Sequence, residues 1–133
     1  MAQKPVKKLF VDFDGVIHSY SSGWLGPTEI PDPPVVDADS GRSSIDWLTS
    51  LLQSGHFSVH IYSRRAADPE DGGVQAMGQW LLKHGLARRY LDRIEWEIEK
   101  PEFFLIIDDR AHQFDGSFPE PWDLDRFKPW HKS

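Results

Sequence analysis

The sequence predicts an α/β domain with a largely parallel sheet, and two observations support this prediction. Strand and helix patterns alternate along the chain, in the order strand, helix, strand, helix, strand, strand. The strand candidates are also short apolar runs, which are typical of strands that are buried on both faces. Right-handed crossovers would then place helices on the faces of the sheet and the carboxyl ends of the strands along one edge.

Four segments are strand candidates. Residues 8–13 and 57–62 have the clearest patterns, residues 94–98 are weaker, and residues 103–107 are nearly all apolar. Each segment has the length that is usual for a strand in a globular protein. Pairing in parallel would bring the residues that follow each strand close together in space.

Two segments have apolar residues at helical spacing. The first ends at Gly55, a natural C-terminal stop, and its apolar residues are Ile45, Leu48, Leu51 and Leu52. The second ends before Gly85, and its apolar residues are Val74, Met77 and Leu81. Both helices would connect neighbouring parallel strands.

Two further segments match no regular element. Residues 15–41 are rich in proline and glycine and are expected to form a flap beside the strand ends. Residues 115–133 contain three prolines and the tryptophans Trp122 and Trp130, and are expected to form an irregular tail packed by its aromatic residues. The length of 133 residues suits a single domain over residues 1–133.

Composition limits the classes of function. The net charge of −6 opposes broad binding to nucleic acid, although it allows binding of one phosphorylated end. Cysteine is absent, which excludes disulfides and thiolate metal sites and suits a cytoplasmic location. No apolar run of about 18 residues is present, so no membrane span is expected. The sequence leaves the oligomeric state open.

The stretch LFVDFDGVI places two acids at the end of the first strand candidate. Asp12 and Asp14 are two residues apart, so their side chains are expected on the same side of the strand. Two neighbouring carboxylates repel each other unless a cation or a shared proton intervenes. Mg²⁺ would meet this need, because it favours carboxylate and phosphate oxygens. Alternatively, Asp14-Gly15 could simply turn a β-hairpin.

Polar residues also follow two other strand candidates. Ser63 comes after the second, and Asp108 and Asp109 come after the fourth, with Lys100 just before that strand. Each has a structural alternative: Ser63 and the paired acids could cap turns, and Lys100 could be a solvated lysine. Their joint occurrence at strand ends favours a common site.

Together these motifs resemble the haloacid dehalogenase-like (HAD) phosphohydrolase superfamily over roughly residues 8–109. The resemblance rests on Asp12-Phe13-Asp14-Gly15-Val16, on the strand that ends in Ser63, on Lys100, and on Ile106-Ile107-Asp108-Asp109. It implies a three-layer Rossmann-like domain with helices on both faces of the sheet. The intervals between the motifs are too short for a cap domain, so a small capless member is expected.

The resemblance also implies a role for each motif residue. Asp12 would be the nucleophile that forms an aspartyl-phosphate, and Asp14 the general acid and base. Ser63 would hydrogen-bond a phosphoryl oxygen, and Lys100 would offset negative charge. Mg²⁺ would be held by Asp12, by the main-chain carbonyl of Asp14, and by one or both of Asp108 and Asp109.

Three neighbouring residues are candidates for substrate binding. Gly15 and His18 follow the first motif directly, and Arg64 follows Ser63 and could pair with a phosphate. Tyr20 and Trp24 could touch substrate from the flap, although packing of Trp24 on the domain is the favoured interpretation. Arg65 could serve as Arg64 does, or either arginine could lie at the surface and cap a turn or pair with Asp68 or Glu70.

The expected function is that of a Mg²⁺-dependent phosphomonoesterase acting on a phosphorylated small molecule or a nucleotide. Removal of a 3′-phosphate from a polynucleotide end is an alternative, because residues 107–110 resemble the phosphatase half of polynucleotide kinase-phosphatases. A phosphomutase and a non-catalytic module that binds Mg²⁺ and phosphate are further alternatives.

Overall fold

The computed structural model describes residues 7–98 and 110–129. Its strands and α-helices are, in chain order, β1 (Lys7–Asp12), α1 (Ser44–Ser54), β2 (Phe57–Tyr62), α2 (Gly73–Lys83), α3 (Arg88–Leu91), β3 (Glu95–Glu97) and α4 (Pro121–Asp125). Two short 3₁₀ turns, Arg64–Ala66 and Pro69–Asp71, follow β2. None of the helices in these ranges combines the length and the apolar character needed to cross a membrane.

The three strands form a parallel sheet in the order β1-β2-β3. Val11 lies opposite Ile61, which in turn lies opposite Trp96. The α/β class and the parallel pairing are therefore confirmed, and the three strands lie where the sequence predicts them to within one residue at each end. The fourth predicted strand, residues 103–107, lies outside the described residues.

The hydrophobic core lies between one face of the sheet and the two long helices. Phe57, Val59 and Ile61 alternate toward this face in β2, and they share one cluster with apolar residues of α1 and α2. Both crossovers run in the same direction along the sheet, so right-handed connections place α1 and α2 on the same side. Helices on the opposite face, and hence a three-layer domain, stay a prediction.

The ends of the long helices follow from local sequence. The Oγ of Ser43 accepts the main-chain N–H of Asp46 and caps α1, which ends at Gly55 in the left-handed conformation with φ of 70°. Gly72 precedes α2 with φ of 77°. A Cβ atom on Gly73 would lie 1.7 Å from the carbonyl oxygen of Arg65, so only glycine allows this close approach of α2 to the turn after β2.

The loop of residues 15–41 turns back on itself instead of forming a hairpin with β1. The main-chain N–H of Val35 donates to Ile17, and Ser44 at the start of α1 donates to Val35 through its main-chain N–H. The Oγ of Ser44 also donates to the carbonyl of Ile17 at 2.6 Å. These contacts hold both ends of the loop beside the carboxyl end of β1, whose partner in the described sheet is the parallel strand β2.

The C-terminal segment packs on α1 through different residues from those expected. Phe118 is buried and stacks on Trp47, whose Nε1 donates to the carbonyl of Pro119 at 2.7 Å. Trp122 lies in the short helix α4 and is exposed, whereas Trp130 lies outside the described residues. The described part of the segment is irregular apart from one helical turn that begins at Pro121, and it packs through an aromatic residue, Phe118.

A pair of glycine substitutions tests the packing of α2. Gly73→Ala is expected to lower the free energy of unfolding by about 1–3 kcal/mol, because the added Cβ meets a main-chain oxygen that cannot rotate away. Gly78→Ala is the matched control in the same helix, since its Cβ would make ordinary contacts with Leu91. It is expected to raise the stability by up to about 1 kcal/mol. Urea denaturation followed by circular dichroism measures both, and equal effects would contradict the packing.

A second prediction concerns Asp37, which ties the loop to the C-terminal segment. Main-chain N–H groups of Phe118, Ser40 and Asp39 lower the pKa of Asp37 from 3.8 to about 2. Because folding lowers this pKa, the ionised carboxylate stabilises the folded state above pH 3.8. This stabilisation is lost as the pH falls toward 2. The stability of Asp37→Asn should therefore depend less on pH over this interval, as measured by thermal unfolding. Asp71→Asn, which removes an exposed carboxylate, should retain the dependence of the unaltered protein.

Candidate active site

A cavity of about 200 Å³ opens at the carboxyl ends of β1 and β2. Parallel pairing brings these two strand ends side by side, and ligands of open α/β sheets bind at such an edge. The residues that line the cavity are Asp12, Asp14, Tyr20, Trp24, Ser63 and Arg64. Four of the residues that the sequence predicts for the site are thus brought together around one space.

Asp12 lies at the cavity because strand alternation turns its neighbours inward. Val11 and Phe13 are both buried in the core, which directs Asp12 to the other side of the chain. Asp12 pairs in register with Tyr62 at the end of β2. Burial raises the pKa of the Tyr62 phenol, and the nearby Asp12 carboxylate raises it further. Tyr62 therefore stays protonated beside the carboxylate.

Ser63 both caps a turn and lines the cavity. Its Oγ accepts the main-chain N–H of Arg65 at 3.1 Å and begins the 3₁₀ turn after β2. The capping role considered from the sequence is therefore present. It leaves the hydroxyl hydrogen of Ser63 as a possible donor to a ligand, because a serine hydroxyl can accept and donate at the same time.

Asp14 is held by a two-pronged ion pair with Arg65. The Nε of Arg65 lies 3.0 Å from Oδ2 of Asp14, and its Nη2 lies 3.1 Å from Oδ1. The guanidinium is fully buried, and the carboxylate is only slightly exposed. Such a forked pair fixes both the position and the orientation of a carboxylate.

The same guanidinium also fastens the loop of residues 15–41. The Nη1 of Arg65 donates to the main-chain carbonyls of Gly26, Pro27 and Glu29 at 2.9, 3.1 and 3.0 Å. These bonds provide acceptors for Nη1, the guanidinium nitrogen that does not contact Asp14. Arg65 therefore couples the position of the loop to the position of Asp14.

His18 lies beneath the site and supports Asp14 from the other side. Its Nδ1 lies 2.8 Å from Oδ1 of Asp14, and its Nε2 accepts the main-chain N–H of Asp32 at 3.2 Å. A main-chain N–H can only donate, so the proton of the imidazole is on Nδ1 and is donated to Asp14. His18 was predicted to bind substrate, but the structure buries it completely and sets it against Asp14.

The loop contributes two aromatic side chains to the cavity wall. Tyr20 has φ of 64°, the only positive φ outside glycine among the described residues, and it begins a turn closed by the N–H of Gly23. Trp24 lies close to the guanidinium groups of Arg64 and Arg65, with each Cζ about 5 Å from the ring centroid. Trp24 therefore packs on the domain, as the sequence favoured, and also lines the cavity.

Several predicted site residues are not placed at the cavity. Gly15 turns the chain after Asp14 with φ of 90°, but it is not among the residues that line the cavity. Lys100, Asp108 and Asp109 lie outside the described residues. Within residues 7–98 and 110–129, no cluster of three or more histidine, aspartate or glutamate side chains suits a metal ion.

The sequence offered Arg65 only as an equivalent of Arg64 and predicted neither its burial nor its pairing with Asp14. The only signal was its position two residues after a strand-end serine, which Arg64 nearly shares. The two arginines differ completely in the structure, because Arg64 is exposed and Arg65 is fully buried. That difference depends on the loop that packs over Arg65, which a local pattern does not reveal.

Comparisons with protein-family models, with curated proteins and with solved structures found no match.

The two adjacent arginines allow a matched test of the buried ion pair. Arg65→Ala is expected to lower the free energy of unfolding by about 3–5 kcal/mol, because it leaves the Asp14 carboxylate without its buried partner. Arg64→Ala should change it by less than about 0.5 kcal/mol, because that side chain is exposed. Chemical denaturation of both variants provides the measurement. Similar losses of stability would rule out the fastening role of Arg65.

Proposed function

We propose that this protein is a Mg²⁺-dependent phosphomonoesterase that acts through an aspartyl-phosphate. The observation that carries the proposal is the shared cavity at the ends of β1 and β2, lined by Asp12, Asp14, Ser63 and Arg64. Two carboxylates, a hydroxyl and a guanidinium at one strand edge can supply a nucleophile, an acid and binding groups for phosphoryl transfer. The motif resemblance in the sequence supports the same chemistry.

In the first step a carboxylate oxygen of Asp12 attacks the phosphorus atom of the substrate. The bond between phosphorus and the ester oxygen breaks, and the departing oxygen receives a proton from Asp14. In the second step water attacks the phosphorus atom and gives a proton back to Asp14. The bond to Asp12 then breaks, which releases phosphate and restores the carboxylate.

The surroundings of Asp14 support a positioned acid and base. Arg65 and His18 hold its carboxylate from two sides, so its side chain keeps one orientation toward the cavity. In this arrangement both oxygens already accept N–H donors. Within the described residues Oδ2 accepts only the Nε of Arg65, so one of its two lone pairs can take the proton. Arg65 and His18 act as positioning residues in this mechanism.

Ser63 and Arg64 would bind the phosphoryl group. The Ser63 hydroxyl can donate to one phosphoryl oxygen while its Oγ continues to accept the N–H of Arg65. Arg64 lines the same cavity and carries a positive charge that would offset part of the negative charge of the phosphate. These two residues begin the turn after β2. Their main-chain positions are therefore set by the sheet and not by the loop of residues 15–41.

The chain offers oxygen donors of the kind that Mg²⁺ prefers. Asp12 and the main-chain carbonyl of Asp14 would hold the ion, with Asp108 and Asp109 as the further predicted ligands. When bound, the ion would offset the negative charge that gathers where a carboxylate meets a phosphate. The pairing of the Asp14 side chain with Arg65 agrees with a main-chain ligand at this residue.

The ion pair of Asp14 with the buried Arg65 also favours one alternative function, because it stabilises the charged carboxylate. If the contacts with Arg65 and His18 are purely structural, Asp14 does not exchange protons and the protein is a non-catalytic module that binds phosphate. The two functions differ in one measurable property, which is the turnover of a phosphomonoester.

The proposal predicts the release of phosphate that depends on Mg²⁺ and on Asp12. The unaltered protein should release phosphate from one or more members of a panel of nucleotides, sugar phosphates and a 3′-phosphorylated oligonucleotide. A chelator should stop the release, and Asp12→Asn should lower kcat by at least about 1000-fold, because the substrate loses its nucleophile. Phosphate is measured with a colorimetric assay.

Asp71→Asn is a suitable control, because it removes an exposed carboxylate outside the cavity and should leave the rate unchanged. Retention of activity in Asp12→Asn would refute the covalent mechanism. Binding of phosphate without turnover by the unaltered protein, across the whole panel, would favour the non-catalytic module.

A further inference from the structure

We propose that the substrates of this site are nucleotides, and that their base stacks on Trp24 at the rim of the cavity. This inference rests on the proposed function and specifies its substrate class. It follows from the two aromatic side chains on the cavity wall, from the charges around them and from the size of the cavity.

Trp24 is a large apolar side chain that remains 41% exposed although it lines the cavity. Asp12 and Ser63 line the same cavity as Trp24. A phosphate bound beside them would therefore be close enough to the indole for one small molecule to contact both. Exposed indole rings next to a polar site are typical stacking surfaces for planar groups. A phosphate ester without a planar ring would leave the indole surface uncovered.

The indole of Trp24 lies against a buried cation. The guanidinium of Arg65 is fully buried and lies 5.1 Å from the ring centroid of Trp24, while its other contacts fix it to Asp14 and to the loop. A cation over an aromatic ring attracts it electrostatically. Trp24 is therefore positioned before any ligand arrives, which reduces the entropy that a ligand loses on stacking.

Tyr20 is held on the same wall at a conformational cost. Its positive φ is unusual for a bulky residue. The turn that it begins is fastened by Asp32, whose carboxylate accepts the main-chain N–H and the hydroxyl of Ser22 at 2.8 and 2.7 Å. Strained residues held by their surroundings are concentrated at ligand sites. Tyr20 thus gives the cavity a second ring.

The charge and the size of the cavity both suit a nucleotide. Arg64 lies 5.2 Å from the Trp24 ring and lines the cavity, so its planar guanidinium can stack with a base or pair with a phosphate oxygen. The cavity of about 200 Å³ is small for a complete ligand pocket. It suits the phosphate and part of the sugar, with the base outside on the rim.

A mononucleotide is favoured over the end of a nucleic acid. The chain carries a net charge of −6, and longer strands gain affinity mainly from contacts between cationic side chains and successive phosphates. One stacking surface accommodates one base. A 3′-phosphorylated oligonucleotide is therefore included in the experiment as a separate ligand.

The experiment measures binding with the nucleophile removed. Asp12→Asn is titrated with adenosine 5′-monophosphate and with ribose 5-phosphate in the presence of Mg²⁺ by calorimetry. Stacking of one base predicts about tenfold tighter binding of the nucleotide than of the sugar phosphate. Adding Trp24→Ala should abolish this preference without weakening the binding of ribose 5-phosphate, whereas Trp24→Phe should retain most of it.

Trp122→Ala is the matched control, because Trp122 is exposed but does not line the cavity. It should leave both affinities unchanged. Equal affinity for the two ligands in Asp12→Asn would overturn the proposal. So would an equal loss of both affinities in the Trp24→Ala variant, which would mean that Trp24 only positions the loop. Binding of the oligonucleotide at least tenfold tighter than the mononucleotide would assign the site to nucleic acid ends instead.

Turnover by the protein with Asp12 intact separates this inference from the proposed function. If the proposed function is wrong, neither ligand releases phosphate, although the nucleotide still binds more tightly than the sugar phosphate. Failure of the inference alone gives release from both ligands with equal kcat/KM. Support for both requires a higher kcat/KM for the nucleotide that falls in Trp24→Ala and is unchanged in Trp122→Ala.

Discussion

The ion pair between Asp14 and Arg65 is the interaction on which the arrangement of the site depends. It joins Asp14, two residues after the end of β1, to the turn after β2, and the same guanidinium donates to three main-chain carbonyls of the loop. A buried guanidinium is costly to remove from water unless its donors are satisfied. Asp14 and three carbonyls of the loop accept from all three of its nitrogen atoms, which holds Asp14 and the loop that forms the cavity wall together.

Other features of the fold serve to place this guanidinium. Ser63 caps the turn that carries Arg65, and Gly73 allows α2 to approach the carbonyl of Arg65 more closely than any side chain would permit. His18 completes the support of Asp14 through a ring that is packed among Phe13 and Trp80. These contacts connect the hydrophobic core and α2 to the residues of the site.

Much of the fold could be predicted from local patterns. Alternation of apolar and polar residues located β1 and β2, and helical spacing located α1 and α2, because both periods are set by the backbone alone. The gathering of Asp12, Asp14 and Ser63 could also be predicted, since the carboxyl ends of parallel strands meet at one edge. The positions of the strand ends follow from the strand patterns alone and do not depend on how the loops pack.

The sequence by itself therefore determined the α/β class, the three described strands, the two long helices and the meeting of Asp12, Asp14 and Ser63 at the sheet edge. Only the tertiary structure decided that Arg65 is buried and Arg64 exposed, that His18 supports Asp14, and that Tyr20 and Trp24 form the cavity wall. These outcomes depend on where the loop of residues 15–41 packs. Arg65 and Asp14 are 51 positions apart, and contacts at such separation have no local periodicity to reveal them.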